Sequence, residues 1–405
     1  MSRKKVLLVT GVFPPGIGGM QNYYYHLAKN SKLDMTVLAS SYDGDEQFDK
    51  AQSFRILRGN FLRNESLHMS SWLRMFRLVR QTIREERIEI TIYGHVLIAF
   101  IGYLLSCYGK RRYIISTHGM DMLMFRRFRI LNRLVGRILR RADGVLTNSQ
   151  FTRSLVEEYG VEPARIELIY PGVDQDYNQE PENPALKQKY SIEGRYNILS
   201  VGRLVERKGY DRVIEALHEL VKVIPNVMYI IAGDGPERKR LQQLASDEGV
   251  SDYVTFLGAI ESKHALNSIY NLCDQFIMVC RQLESGDAEG FGIVYLEAAS
   301  TGLPVIAGKS GGASEAVLHE ETGLLVDPSS KQELVEAILR FKQNDMLRAR
   351  LTKNGYERAK SSFNYVALAD KLDRFLSQFP ASKRSLLPFR SREMLTSKKS
   401  RAQAK

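Results

Sequence analysis

Short β-branched, apolar runs alternate with longer stretches of helical periodicity along almost all of this 405-residue sequence, and that alternation leaves few folds open. In the first half the runs are 5–10, 35–40, 54–58, 89–93, 113–117, 144–148 and 166–170. In the second they are 197–201, 227–232, 254–257, 275–279, 304–307 and 323–326. Parallel neighbours in a sheet cannot be joined by a tight hairpin and need a crossover, usually a helix. Strand–helix alternation of this length therefore predicts parallel sheets covered by helices. A chain of 405 residues with 44% hydrophobic content is too long for one core and too apolar for disorder. Between Tyr170 and Tyr196 lies a stretch with prolines at 171, 181 and 184 and no apolar periodicity, which predicts the domain boundary. The expected architecture is α/β, with two doubly wound domains facing each other across a cleft. Residues 1–175 form the first domain, 176–195 the linker and 196–362 the second domain. After Ser362 the sequence FNYVALADKLDRFLSQF reads as an amphipathic helix. Residues 381–405 read as a basic, disordered tail.

Charge is as bipartite as the fold. The formal net charge is +12. Residues 1–175 hold 26 Lys+Arg against 16 Asp+Glu, residues 176–380 hold 24 against 29, and residues 381–405 hold 8 against 1. A uniform polyanion-binding surface would not include an acidic half, so no nucleic-acid partner is expected. Three cysteines, Cys107, Cys273 and Cys280, are an odd number without close pairing. They argue against a disulfide framework or a Cys-based zinc site and fit a reducing compartment. The N-terminal apolar stretch stops at Thr10 and runs into prolines, unlike a signal peptide. Residues 91–108 carry no formal charge and have about the length of a membrane span. Gly94-His95 interrupts them and 88–93 is β-branched-rich, so a buried strand, a turn and a core helix from Val96 to Cys107 are expected instead.

Open parallel sheets bind ligands beyond the carboxyl ends of their strands, so the residues that follow strands carry the functional information. After the first run comes a glycine-rich turn, Gly11 to Gly19, ahead of a helix. It gathers amide groups and a positive dipole end, which suits phosphate, although a loop that merely turns the chain accounts for it equally well. The dinucleotide fingerprint is absent, since the glycine spacing is wrong and no acidic residue ends the second run. This turn contains no Gly-Lys-Ser/Thr, so it is not a Walker loop. After residues 197–201 comes Gly202-Arg203-Leu204-Val205-Glu206-Arg207-Lys208-Gly209. Arg203 and Lys208, cations five apart at a strand end, suit a clamp on a diphosphate leaving group; a solvated charged loop is the ordinary alternative. The third stretch is Glu289-Gly290-Phe291-Gly292, followed by Glu297. Its glycines leave amides bare near a helix N-terminus, and Glu297 suits vicinal hydroxyls such as those of a ribose. Two carboxylates on one helix start do not flank a bond as glycosidase carboxylates do.

Together, Gly202-Arg203…Lys208-Gly209, Ala232-Gly233-Asp234-Gly235-Pro236, Glu289-Gly290-Phe291-Gly292 with Glu297, and Gly311-Gly312…Glu315 resemble the retaining family-4 glycosyltransferases of the GT-B fold. The resemblance spans nearly the whole chain apart from the tail. Within the family, residues 287–298 and 307–313 most resemble the phosphatidyl-myo-inositol mannosyltransferases, which use GDP-mannose. The implied fold is GT-B, two Rossmann-like domains, the first for the acceptor and the second for the nucleotide sugar, with helix 363–380 packing back on the first. Arg203 and Lys208 would hold the donor pyrophosphate in place of a metal ion. Glu297 would bind the ribose. Glu289, Gly290 and the amides of Phe291 and Gly292 would hold hydroxyls of the transferred sugar. Gly18 and Gly19 would line the pyrophosphate from the opposite domain, and His118 would sit by the sugar near the anomeric centre.

No cofactor and no metal are expected, and the seven histidines show no metal-ligand spacing. Such enzymes retain anomeric configuration, usually explained by attack on the face the diphosphate leaves, with its oxygen taking the acceptor proton. The expected reaction moves a hexose, mannose from GDP-mannose, to a lipid-linked or glycan acceptor; transfer from a UDP-sugar is the alternative. Residues 71–80 and 122–129 interleave Arg with large apolar residues and read as basic amphipathic helices suited to anionic lipid, or as helices whose apolar face is core. The expected location is cytoplasmic, peripheral on the inner face of the plasma membrane. Competing readings are a dinucleotide oxidoreductase, a non-enzymatic nucleic-acid binder, and a sugar-nucleotide hydrolase or phosphorylase of the same architecture.

Overall fold

A computed structural model describes residues 3–59, 69–109, 111–260 and 262–380. The basic tail lies outside the described residues. Seven strands form the first sheet: β1 (Lys5–Thr10), β2 (Asp34–Ser40), β3 (Arg55–Gly59), β4 (Ile90–Tyr93), β5 (Tyr113–Thr117), β6 (Gly144–Thr147) and β7 (Ile166–Leu168), in the spatial order β3-β2-β1-β4-β5-β6-β7. Six form the second: β8 (Tyr196–Val201), β9 (Val227–Ala232), β10 (Val254–Gly258), β11 (Gln275–Met278), β12 (Val305–Gly308) and β13 (Leu324–Val326), in the order β10-β9-β8-β11-β12-β13. Every pairing within both sheets is parallel. The strand order reverses between β1 and β4 in one sheet and between β8 and β11 in the other. Loops leaving a reversal point diverge to opposite faces and open a crevice there. The α/β, doubly wound expectation holds, and each predicted strand is present to within two residues of its bounds.

Both faces of the first sheet are buried, as parallel sheets require. Leu7 and Val9 pack with Met75, Val79 and Ile101 on one face, while Val6 and Leu8 pack with Tyr23, Tyr24 and Leu27 on the other. The second face is completed from the far end of the sequence. Helix Tyr365–Ser377 places Leu368, Ala369, Leu372, Phe375 and Leu376 in that cluster. A Cβ on Gly144 would lie 2.7 Å from Phe375 Cζ, so the strand has no side chain where the helix docks. Asp373 fixes the other end, accepting from Ser31 Oγ at 2.6 Å and Lys32 N at 2.7 Å. The chain therefore passes between the two sheets twice, and the passages run side by side: Val173 N donates to Phe363 O at 2.9 Å.

Three local readings need refinement. Residues 91–108 are the end of β4, a turn and helix Ala99–Gly109, and among the described residues no helix is long and apolar enough to cross a membrane. The segment between the domains contains a helix, Pro184–Lys189, whose six residues are too few to show periodicity; Asn183 caps it and Pro184 occupies its first turn. Residues 122–129, expected as one basic amphipathic helix, are not one. Helix Met120–Leu123 ends there, turns follow, and helix Arg129–Arg141 begins at the last residue. Met122, Leu123 and Phe125 are buried, and those anchors bend the segment over the core.

Candidate active site

The crevice of the second sheet is built from the loops after β8 and β11. Beyond β8, residues Glu206–Lys208 form a 3-10 turn and Gly209, at φ +72°, starts the next helix. A Cβ on Gly209 would lie 2.0 Å from Val279 O, so the loop rests directly on the end of β11. The 3-10 turn aims two consecutive cations at one carboxylate. Arg207 Nη1 lies 2.6 Å and Lys208 Nζ 2.7 Å from Glu289 Oε2. Arg207 Nε also reaches Asp287 Oδ1 at 3.2 Å. Burial alone would raise the Glu289 pKa, but the Lys208 and Arg207 cations overcome it and bring it down to about 2. Glu289 is therefore a fixed carboxylate. Arg203 on the same loop is exposed and has no ion pair among the described residues.

Glu297 lies on helix Ile293–Ser300, which starts after Gly292 at φ +90°. It is buried, and Tyr270 OH donates to its Oε2 at 2.9 Å. Burial raises its pKa to about 7, with the Tyr270 hydrogen bond and the Lys263 charge opposing the shift. Gly311 and Gly312 lie under the preceding turn, and Gly312 N donates to Glu289 O at 2.9 Å.

The first domain meets this crevice closely. A Cβ on Gly290 would lie 2.7 Å from His118 O and 3.2 Å from Asn148 Nδ2, and one on Gly19 would lie 3.2 Å from Ile293 Cδ1. The glycine turn after β1 is held by Arg58, which donates to Pro14 O at 2.6 Å and to Asp49 at 2.7 and 2.9 Å. His118 follows β5; its main-chain N–H donates to Asp121 Oδ1 at 3.0 Å, and its ring Nε2 lies 2.5 Å from Tyr24 OH. Burial lowers its pKa to about 4, against the pull of Asp121. Across the domains, Glu315 accepts from Gln150 N at 2.6 Å, Phe151 N at 2.9 Å and Tyr170 OH at 3.0 Å. A side chain of the second domain thus caps helix Gln150–Glu158 of the first. A separate cavity of 710 Å³ lies where the chain passes between the domains, lined by His26, Asp174, Lys263 and Lys360. None of the residues singled out from the sequence lines it.

Two family models match the chain, Glycosyltransferase Family 4 over residues 17–177 and Glycosyl transferases group 1 over residues 182–358. A GDP-mannose-dependent alpha-(1-6)-phosphatidylinositol monomannoside mannosyltransferase of Mycobacterium tuberculosis is 33% identical over 383 residues, covering 92% of this chain and 98% of its own. The chain belongs to the group 1, family 4 glycosyltransferases. A GDP-mannose-dependent monoacylated phosphatidylinositol monomannoside mannosyltransferase of Corynebacterium glutamicum is 30% identical, covering 93% of this chain and 99% of its own. Among solved structures, Anabaena HepE in complex with UDP and glucose superposes with a TM-score of 0.77 at 24% identity, covering 93% of this chain and all of its own. At that identity the superposition speaks for the GT-B fold alone.

In this glycosyltransferase the structure joins Lys208 to Glu289, Gly290 to the His118 main chain, and Gly19 to the start of the Glu297 helix. Gly18 immediately precedes helix Gly19–Asn30 of the first domain. The Phe291 ring packs on Tyr170 at 5.3 Å and Phe363 at 5.5 Å, which leaves only its main chain for a ligand. Among the described residues Arg203 and Glu297 share no ion pair or side-chain hydrogen bond with the others, although the Lys208 charge acts on Glu297. Sequence reasoning passed over Arg207, because a five-residue spacing pointed to Lys208 whereas the 3-10 turn presents both. Tyr24 had no signal at all, since its contact with His118 spans 94 residues. Glu315 stood in the Gly311-Gly312…Glu315 motif without a role. Among the described residues no three His, Cys, Asp or Glu side chains gather as a metal site would require.

Proposed function

We propose that the enzyme transfers mannose from GDP-mannose to a lipid-linked acceptor, retaining anomeric configuration and using fixed cations where other transferases use a metal. The observation that carries the reading is the Arg207–Lys208–Glu289 triad, set at the reversal point of the second sheet and opposed through Gly290 by His118. Arg203 and Lys208 hold the donor pyrophosphate and stabilise the charge that grows as it leaves. Gly18 and Gly19 close on the pyrophosphate from the first domain. Glu289, permanently ionised, is a poor proton donor and a good acceptor for sugar hydroxyls, together with the main chain of Gly290, Phe291 and Gly292. No separate base is then needed, because the departing phosphate oxygen takes the acceptor proton. Sequence identity to the mannosyltransferases over 92% of the chain supports the choice of donor. Calorimetry with GDP, UDP and ADP, followed by turnover of their mannose and glucose conjugates with and without chelator, tests it. GDP-mannose turnover that survives chelation and yields the retained anomer is expected; preference for a UDP-sugar, or loss of activity to the chelator, overturns it.

Glu297 gives the donor a pH signature. A ribose donates its hydroxyls to the ionised carboxylate and must displace a proton from the neutral one, so affinity rises as pH climbs through about 7. GDP-mannose affinity should gain about tenfold between about pH 6 and about pH 8. In Glu297→Gln the titration disappears, and isothermal titrations across pH give the comparison.

The acceptor side is read from surface chemistry. Around the start of helix Arg129–Arg141, Met124, Phe128, Ile130 and Leu131 are exposed beside Arg127, Arg129 and Arg133, with Ile130 82% exposed. Apolar residues set among cations suit a peripheral site on an anionic, cytoplasmic membrane face. Vesicle flotation should show binding to anionic and not to neutral liposomes at moderate salt. Equal recovery with both would remove the membrane from the proposal.

A further inference from the structure

Tyr24 makes two short contacts through one hydroxyl: Gly94 O lies at 2.8 Å and His118 Nε2 at 2.5 Å. Gly94 has to be glycine for this, because a Cβ there would fall 2.9 Å from Tyr24 Cζ and 3.0 Å from its oxygen. Two oxygens at 2.8 Å need a proton between them, and a carbonyl has none to give. The proton is therefore that of Tyr24, and burial keeps the phenol protonated by holding its pKa well above the ordinary value. With the hydroxyl proton committed to Gly94 O, the second contact needs a proton on the histidine nitrogen. The Ser116 hydroxyl also acts on the Tyr24 oxygen, lowering its pKa against the larger effect of burial. Edge-on packing of Tyr23 and Tyr24 against the imidazole, each with centroids 5.4 Å away, holds the ring in that orientation.

We infer that Tyr24 is a positioning residue that fixes His118 as the tautomer protonated on Nε2, so that Nδ1 meets the substrate as a lone-pair acceptor only. The inference rests on the proposed placement of His118 beside the donor sugar. The low pKa of the ring agrees with it, since a neutral imidazole carries one proton and Nε2 has it. Among the described residues nothing else bonds to the His118 ring nitrogens. An acceptor of this kind takes a hydrogen bond from a sugar hydroxyl and has nothing to donate to the diphosphate oxygens. His118 thereby reads the sugar and leaves the leaving group to the cations of the second domain.

Long-range proton–nitrogen NMR of the ligand-free enzyme labelled with ¹⁵N-histidine reads the tautomer directly, with His118→Ala assigning the signals. A protonated Nε2 and a bare Nδ1 are expected, while a protonated Nδ1 overturns the inference without touching the donor-site reading. Tyr24→Phe should release the ring to a mixture of tautomers and weaken GDP-mannose binding about tenfold, with GDP binding unchanged. Equal loss for GDP and GDP-mannose would mark Tyr24 as merely structural and overturn its positioning role. If the spectrum shows the expected tautomer but His118→Ala binds GDP-mannose as wild type does, the tautomer stands and the placement of the sugar falls.

Discussion

Lys208→Ala should turn over roughly 10²- to 10³-fold more slowly than wild type at saturating donor while staying folded, a loss of the size seen when one preorganised charge contact to a transition state is removed. Lys208 has two tasks in this geometry. Its ammonium balances buried Glu289 from 2.7 Å, and in the proposed function it meets the charge of the departing diphosphate. Removing it leaves Glu289 with Arg207 alone, so the melting temperature should fall together with turnover. Arg203→Ala is the informative partner. Arg203 is exposed and pairs with nothing among the described residues, so the same order of kinetic loss should arrive with no change in melting temperature. Steady-state rates and thermal melts of the two purified variants decide the matter. Near-normal turnover in both would remove the cationic clamp from the mechanism.

Gly209→Ala should be the most damaging of the small substitutions. A left-handed φ of +72° costs an alanine about 1 kcal/mol. The new methyl would also fall 2.0 Å from Val279 O, a contact that no rotamer relieves, because Cβ has none. Either β11 or the Lys208 turn must then move, and the expected loss is about 4 kcal/mol or more. Gly249→Ala supplies the control, with a φ of +68° and nothing within 4 Å of its added Cβ. It should cost only about 1 kcal/mol. Urea denaturation of the pair separates the steric part from the conformational part; similar midpoints would mean the loop yields freely and does not fix Lys208.

The fold was legible because its signal is local. Buried parallel strands such as Val227–Ala232 are continuous apolar runs, and each was marked by its own composition. The failures came where tertiary anchoring overrides pattern. Residues 122–129 interleave Arg with large apolar side chains and read as a basic helix, yet burial of Phe125 draws the segment into turns. The short helix Pro184–Lys189 offers too little sequence for a period to emerge. In the site, residues within one loop were legible and partnerships between loops were not. Glu289 and Lys208 were each anticipated, but their ion pair bridges 81 residues, and the Glu315 cap on Phe151 bridges 164.

Helix Tyr365–Ser377 closes the first sheet's core only after the entire second domain has been laid down. On a ribosome, residues up to Leu168 would emerge with Ile114, Leu146 and Tyr23 still lacking Leu372 and Phe375 as their cover. The nascent N-terminal half would wait, incomplete, for nearly two hundred further residues, holding an apolar trough open to chaperones. A stop codon that removed this helix would injure the half of the enzyme farthest from it in sequence, and leave the half just translated intact.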